Sequence, residues 1–357
     1  MSTFLGIGLG PIQTGIFLSG ACQGGMKRLV VSEVDANLTA AVRAAGGITV
    51  NIAGRDRITQ EKIGPLEIYN PTVPEDLAKL VQVAAEADEI ATALPGVAFF
   101  KHIVGWLKDG FAQQPDRRRF IYTAENDNYA AEKMEAAMGV KYPHTYYLNT
   151  VIGKMSKVCS IQDTPEFHLA PLCPGIDRAH LVESFNRIYI NPVADIEQRQ
   201  VKNLHVKPDL YPFEEAKLYG HNAVHFMLGW YAGTMGLTSM HEIAGHPELI
   251  EAARDAFMNE SGQALCRKWK DVDPLFTADG FKAYVDDLLI RMVNPFLRDR
   301  VDRIIRDLPR KLDYNDRVIG TIRMCLDQQV IPKRFIRLAG DCFAHLEANP
   351  PPPQQQK

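Results

Sequence analysis

Short apolar runs alternate with stretches of helical periodicity along the first two hundred residues. TFLGIGL (3–9) has the pattern of a buried strand, and PIQTGIFLSGAC (11–22) that of a helix. RLVVSEV (28–34) and DANLTAAVRAAG (35–46) repeat the pair, and EIATAL (89–94) and RRFIYTAEN (118–126) each precede a helix-compatible segment. Strands that alternate with helices predict βαβ units around a parallel sheet covered on both faces. HTYYLNTVIGKM (144–155) and SFNRIYINPV (184–193) add β-branched and aromatic runs that extend the same sheet. From about Pro212 the texture changes. PFEEAKLYGHNAVHFMLGWYAGTM, HPELIEAARDAFMNESGQALCRKW, TADGFKAYVDDLLIRMV, LRDRVDRIIRDL and DRVIGTIRMCLDQ place apolar residues at i, i+3, i+4 and i+7. The expected architecture is an α/β doubly wound parallel sheet over 1–200, followed by a mostly α-helical domain over 201–348. The Pro/Gln segment 349–357 is expected to be disordered.

Composition adds exclusions. The chain has 357 residues, 46% hydrophobic and 23% charged, with a net charge of -3. No basic excess points to nucleic acid, and no apolar run is long enough for an ordinary membrane span. The N-terminus lacks the basic and apolar regions of a signal peptide. Six scattered cysteines without a C-x-x-C pair suit reduced thiols in a cytoplasmic protein. A monomer or homodimer acting on a small molecule is expected.

The first strand turns into the first helix through Gly6, Gly8, Gly10 and Gly15. Glycine at such a turn lets backbone N–H groups and the helix N-terminus approach a pyrophosphate. The strict G-x-G-x-x-G is not met, because Gln13 stands in the third place. Glu33, 25 residues after Gly8 at the end of the second strand, is where a carboxylate would accept ribose hydroxyls and repel a 2′-phosphate. These features predict NAD, held by Gly8, Gly10, Pro11, Ile12, Gln13 and Glu33. The alternative is a tight turn in another α/β domain, with Glu33 serving only as a cap.

The segment KLYGHNAVHFMLGW (217–230) carries the second candidate site. On an ideal helix with Lys217 at zero, His221 falls at about 40°, His225 at about 80° and Asn222 at about 140°. Alcohol oxidation needs a base for the hydroxyl proton and donors for the developing alkoxide. A lysine whose pKa is lowered by burial can be the base, an asparagine amide the donor, and a histidine a further partner for a hydroxyl. Two other readings of the same residues are a metal site on the His221–His225 pair and two packed core histidines. HEIAGH (241–246) is similar to a zinc-protease motif, but its histidines are five apart and cannot converge on one ion as i, i+4 residues do. It is expected to be a loop or a helix start.

With these residues in view, the chain resembles the polyol-specific long-chain dehydrogenases, the mannitol-1-phosphate 5-dehydrogenases and mannitol 2-dehydrogenases among them. Their K-L-x-x-L-N-x-x-H corresponds to KLYGHNAVH, their T-A-V-G-P to TALPG (92–96) and their C-E-N to AENDN (124–128). ESFNRIYI and RMVNPFLRDRVDRIIRDLPRKLDYNDR are similar to two further motifs, in the same order, so the likeness spans about residues 3–330. The resemblance implies a metal-independent, NAD-dependent dehydrogenase that oxidises a secondary alcohol of a polyol or sugar phosphate, or reduces the matching ketone, in a cleft between two domains. It implies a Rossmann-type N-terminal domain, Lys217 as base, Asn222 and Asn126 as oxyanion donors, and His225 and Arg291 as substrate contacts, with His221 on the same helix face a further substrate-binding candidate or a substitute in the proton relay. Thr92, Ala93, Leu94 and Glu125 are implied to lie beside the cofactor. Gly153 stands where the family has an acid that relays the proton of the lysine, and His221 where it has leucine. A different hydroxylated substrate on the same fold, or an NAD-binding sensor without turnover, are the alternatives.

Overall fold

The computed structural model describes residues 2–350; of the expected Pro/Gln tail, 351–357 lie outside the described residues. The chain divides into two compact units between Leu210 and Tyr211.

The N-terminal unit holds twelve strands: β1 (Thr3–Ile7), β2 (Arg28–Ser32), β3 (Ile48–Ala53), β4 (Ile58–Ile63), β5 (Glu67–Tyr69), β6 (Glu89–Thr92), β7 (Arg119–Thr123), β8 (Thr145–Val151), β9 (Ser156–Cys159), β10 (Ala179–Glu183), β11 (Ile188–Ile190) and β12 (Leu204–Val206). Eight of them form one sheet in the order β12-β11-β8-β7-β6-β1-β2-β5. From β5 to β8 every neighbour is parallel; β11 then runs antiparallel to β8 and parallel to β12. This is the doubly wound sheet, and its chain order reverses at β1, with β2 on one side and β6 on the other.

Successive residues of a strand face opposite sides, and here both sides are dry. Phe4, Phe120, Tyr122 and Leu148 point into one core with Ile16 and Phe17 of the first helix. Leu5, Ile90 and Ile121 point into the other, with Leu80, Val83, Leu107 and Met134 from helices Pro74–Glu86, Val104–Phe111 and Ala130–Met138. Two-sided burial is why β1, β2, β6 and β7 read as continuous apolar runs.

The sequence pattern did not anticipate the second sheet, β4-β3-β10-β9. Val50, Ile63 and Val182 from it join the core beneath the first helix. Gly15 makes this approach possible, since a Cβ there would sit 2.7 Å from a methyl of Val182.

The C-terminal unit is built of helices. Its centre is Ala223–Thr234, buried along nearly its whole length, as expected of a helix that is apolar all round. Gly229 lets Val301–Ile305 lie close against it, because an added Cβ would meet Ile304 at 2.6 Å. HEIAGH forms a 3-10 turn, Met240–Gly245, leading into helix Pro247–Asp255. His241 is engaged with the Ser239 hydroxyl and His246 with the Glu248 carboxylate. Among the described residues, no helix is long and apolar enough to cross a membrane.

Candidate active site

In the N-terminal unit, the candidate cofactor residues gather at the carboxyl ends of β1, β2, β6 and β7, where open α/β sheets bind ligands. Gly8 has φ +86°, and a Cβ there would meet the Ala93 carbonyl oxygen at 2.8 Å, so only glycine fits. Gly10, by contrast, has open space where its Cβ would be, leaving bare backbone at the mouth of the helix that starts with Pro11 and Ile12. A bare turn beside a helix N-terminus suits a pyrophosphate. The Glu33 carboxylate accepts from Leu9 N at 2.8 Å and Asp35 N at 2.9 Å, tying β2 to the glycine turn. A carboxylate has about four acceptor positions, so two remain for ribose hydroxyls. The N-cap of helix Ala36–Ala45 is Asp35, which accepts from Asn37 N and Leu38 N. Glu33 is therefore free of that duty.

Three of the expected cofactor contacts are engaged within the protein itself. Gln13 is fully buried, its amide folded inward to donate to the Ala91 carbonyl oxygen at 3.3 Å. It fills the space over Gly6, where a Cβ would lie 1.9 Å from Gln13 Nε2. The residue in the third fingerprint position is thus a packing element, and only its backbone is left to face a ligand. Thr92 and Glu125 bind each other, Oγ1 to carboxylate at 2.8 Å, and Glu125 also accepts from Leu94 N at 2.9 Å. They brace the Ala93–Leu94 turn next to Gly8, and burial raises the Glu125 pKa. Asn126, the next residue, is exposed just past the end of β7.

In the C-terminal unit, the Lys217 helix departs from ideal geometry. Residues Ala216–Asn222 form a π-helical stretch between Tyr211–Glu215 and Ala223–Thr234. A π turn closes i to i+5, so it draws Lys217 and Asn222 toward one line, where the ideal-helix reading set them about 140° apart. Such bulges insert a residue without ending the helix and are frequent at functional sites. Neither the Lys217 amine nor the Asn222 amide is engaged with another described residue. Burial, opposed by Glu214 and aided by Arg317, brings the Lys217 pKa down to about 8.

The two histidine rings lie 5.9 Å apart, centroid to centroid. Burial first, and then the charges of His225, Arg291, Lys217 and Arg317, hold His221 well below the ordinary imidazole range. Burial takes His225 down to about 4, against the pull of Asp299. His225 Nε2 is buried and unpaired, with an Asp299 oxygen 3.6 Å away, too far for a hydrogen bond. Asp299 is instead clamped by Arg303, through two contacts at 2.7 and 2.5 Å. Arg291 pairs with Asp287 at 3.1 Å one turn earlier on its own helix. Both histidines are therefore neutral at ordinary pH and able to accept or donate. Among the described residues, no three His, Cys, Asp or Glu side chains converge as a metal site.

Residues 209–351 match the model of the mannitol dehydrogenase C-terminal domain. The mannitol-1-phosphate 5-dehydrogenase of Bacillus licheniformis is 25% identical over 362 residues, which cover 96% of this chain and 89% of that protein. The enzyme of that name from Brevibacillus brevis is 23% identical over 298 residues, 79% of this chain and 74% of its own. Among solved structures, a substrate-free D-sorbitol dehydrogenase superposes with a TM-score of 0.73 at 14% identity, over 96% of this chain and 80% of that one. The ternary complex of Pseudomonas fluorescens mannitol 2-dehydrogenase with NAD and D-mannitol gives a TM-score of 0.66 at 15% identity, over 96% and 78%. The C-terminal unit thus matches a mannitol dehydrogenase C-terminal domain, and the chain as a whole is similar to mannitol-1-phosphate 5-dehydrogenases, oxidoreductases that act on CH–OH groups.

Proposed function

We propose that this protein is an NAD-dependent dehydrogenase that oxidises a secondary alcohol of a polyol or sugar phosphate, or reduces the matching ketone, with Lys217 as the base. The observation that carries the reading is the Lys217 amine, unengaged in a π-helical stretch and drawn down to about 8. A base works best when its pKa lies near the working pH, and an ordinary lysine would be almost wholly protonated there.

NAD, when bound, supplies the hydride acceptor. The bare backbone at Gly10, the helix start at Pro11–Gln13 and the spare acceptor positions of Glu33 suit its pyrophosphate and ribose. Lys217, as the free amine, takes the hydroxyl proton while the C–H hydride departs, leaving a carbonyl. The Asn222 amide, drawn toward the same line by the π turn, donates to the oxygen as negative charge develops on it. Asn126, exposed at the end of β7, is the second proposed donor to that oxygen. His225 and His221, neutral at working pH, hold substrate hydroxyls, with Arg291 beside them. The curated relatives are named for a phosphorylated polyol and the two solved structures for free ones, so both kinds belong in the assay.

Lys217→Ala should lower NAD-linked turnover about 10²–10⁴-fold across a panel of free and phosphorylated polyols, the range typical for removing a general base. In the wild-type protein, kcat for oxidation should rise with pH and level off above about 8, because only the unprotonated amine accepts the proton. Ketone reduction, which needs the protonated amine, should fall over the same interval. Unchanged turnover in Lys217→Ala would refute the assignment, and absence of turnover on every alcohol despite NADH binding would favour a sensor.

A further inference from the structure

The last helix, Lys333–Ala348, buries one face and leaves the opposite one open. Phe335, Leu338, Ala339 and Cys342 pack inward, at the i, i+3, i+4 and i+7 spacing of an amphipathic helix. The outer face is not the wholly polar surface that such a helix usually shows to water. Ile336 and Phe343, one on either side of Gly340, are each 46% exposed, and Ala344 beside them is exposed too. Ile331, just before the helix, is 68% exposed. Single exposed apolar residues are ordinary, but a row of them along one helix face is a mark of an interaction surface.

Gly340 and two charges say what fits there. A glycine inside a helix costs about 1 kcal/mol against alanine. Other helical glycines of this unit make room for a neighbour: a Cβ on Gly229 would meet Ile304 at 2.6 Å, and one on Gly262 would meet Phe281 at 2.4 Å. Around Gly340 no atom lies within 4 Å of the Cβ position, so its own chain does not use the room. Lys333 stands seven residues before Gly340, in the first turn, and Glu347 seven residues after it, in the last. Both signs oppose the helix dipole, which favours acids at the start and bases at the end. Neither side chain meets an opposite charge among the described residues, whereas the adjacent Arg334 pairs with Asp255 at 2.6 Å.

We propose that this face docks a second copy of the chain, the two helices running antiparallel about a two-fold axis at Gly340. At 100° per residue, with Gly340 as zero, Lys333 and Glu347 fall at about +20° and −20°, Ile336 at about −40° and Phe343 at about −60°. The two-fold brings residues equally far before and after Gly340 to the same height. Lys333 then stands beside Glu347 of the second copy, and Phe343 lies against Ile336 of the second copy. Symmetry makes each pair occur twice. The charges that oppose the dipole within one chain are thereby matched between two, and the missing side chain of Gly340 lets the helices approach. A parallel arrangement would set Lys333 against Lys333 and Glu347 against Glu347.

One helix face falls short of the roughly 800 Å² per partner that specific interfaces commonly bury, so the association is reversible, with a Kd expected in the micromolar range. Sedimentation equilibrium of the full chain over about 1–100 μM should show the mass rising from that of one chain toward that of two. Lys333→Glu and Glu347→Lys should each weaken association about tenfold or more, because each sets two like-charged pairs across the axis. The double variant Lys333→Glu/Glu347→Lys should recover most of the wild-type affinity. All three positions of change suit the helix dipole, and circular dichroism checks that the fold is kept. Phe343→Ser, which removes the apolar pair, should also weaken the dimer.

A chain that stays monomeric to about 100 μM overturns the proposal. So do single charge variants that associate as wild type does, or a double variant no better than the singles. A chain that dimerises only after removal of residues 351–357 also overturns it, and assigns the face to those residues instead.

Discussion

In the proposed reading, Glu33 serves structure and cofactor selectivity together. Its two oxygens hold Leu9 N and Asp35 N, fixing the glycine turn to the end of β2. The same negative charge repels any group of like sign at the ribose 2′ position. Glu33→Gln keeps the size and an acceptor oxygen but removes the charge. The ratio of kcat/KM with NADP to that with NAD should therefore rise about tenfold or more, since 1.4 kcal/mol corresponds to a factor of ten. Steady-state kinetics with the two cofactors measure it, and a ratio that stays put would remove Glu33 from the selectivity role. The position of this acid was legible in the sequence because it ends a fully buried strand. The fate of Gln13 was not, since a polar side chain after a glycine turn can face a ligand or the sheet. Only the empty volume over Gly6 decides that it folds inward.

At the level of elements, the strands that sequence patterning finds are those buried on both faces. β4 escapes it because four of its six positions, Thr59 to Lys62, are polar and none of them is buried. β3 escapes because its apolar residues sit between glycines and Asn51, and its partner β10 lies far along the chain. The π stretches are equally hidden, as one inserted residue leaves the apolar periodicity on either side intact.

The second sheet is fastened to the first helix through His180, which is fully buried on β10. Arg178 Nε donates to His180 Nε2 at 3.3 Å, so the proton of the ring sits on Nδ1, 2.9 Å from Thr14 Oγ1. A second ring proton would face the Arg178 donor. Burial, aided by the Arg178 charge, accordingly lowers the His180 pKa to about 3. In the unfolded chain the ring titrates near about 6.5. Between those values the unfolded state takes up a proton that the folded state refuses, so stability falls as pH drops from about 6.5 toward 3, by up to about 1.4 kcal/mol per unit from this residue. Urea unfolding at pH 7 and pH 5 should show that loss in wild type and a shallower one in His180→Gln, whatever the overall stability of the variant. Equal losses in the two proteins would mean that His180 is not the group responsible.

For the whole molecule, the telling stretch lies just before the C-terminal unit. The expected domain boundary falls at residue 200, whereas the strand β12 lies at Leu204–Val206 and the first unit runs to Leu210. β12 pairs with β11 at the edge of the large sheet, and Leu204 joins the core under the first helix. The residues leading to it are tied in as well: Glu89, buried at the start of β6, accepts from the backbone N–H groups of both Gln200 and Val201, and from the Tyr122 hydroxyl at 2.7 Å. Lys202 N donates to the Gly20 carbonyl oxygen at 3.0 Å, pinning the end of the first helix. A fragment ending at 200 would leave the Glu89 carboxylate buried with fewer donors, open an edge on β11 and strip Val201 and Leu204 from the core. Burying a side chain of that kind stabilises by about 1.5–3 kcal/mol each, a large share of the stability of an ordinary domain. We therefore expect residues 1–210, made alone, to fold and bind NADH without catalysing turnover, since Lys217 is absent. Residues 1–200 should be less stable by several kcal/mol, measured as a lower urea midpoint. Equal midpoints would show that β12 belongs energetically to the C-terminal unit, and failure of 1–210 to fold would show that neither unit stands without the other.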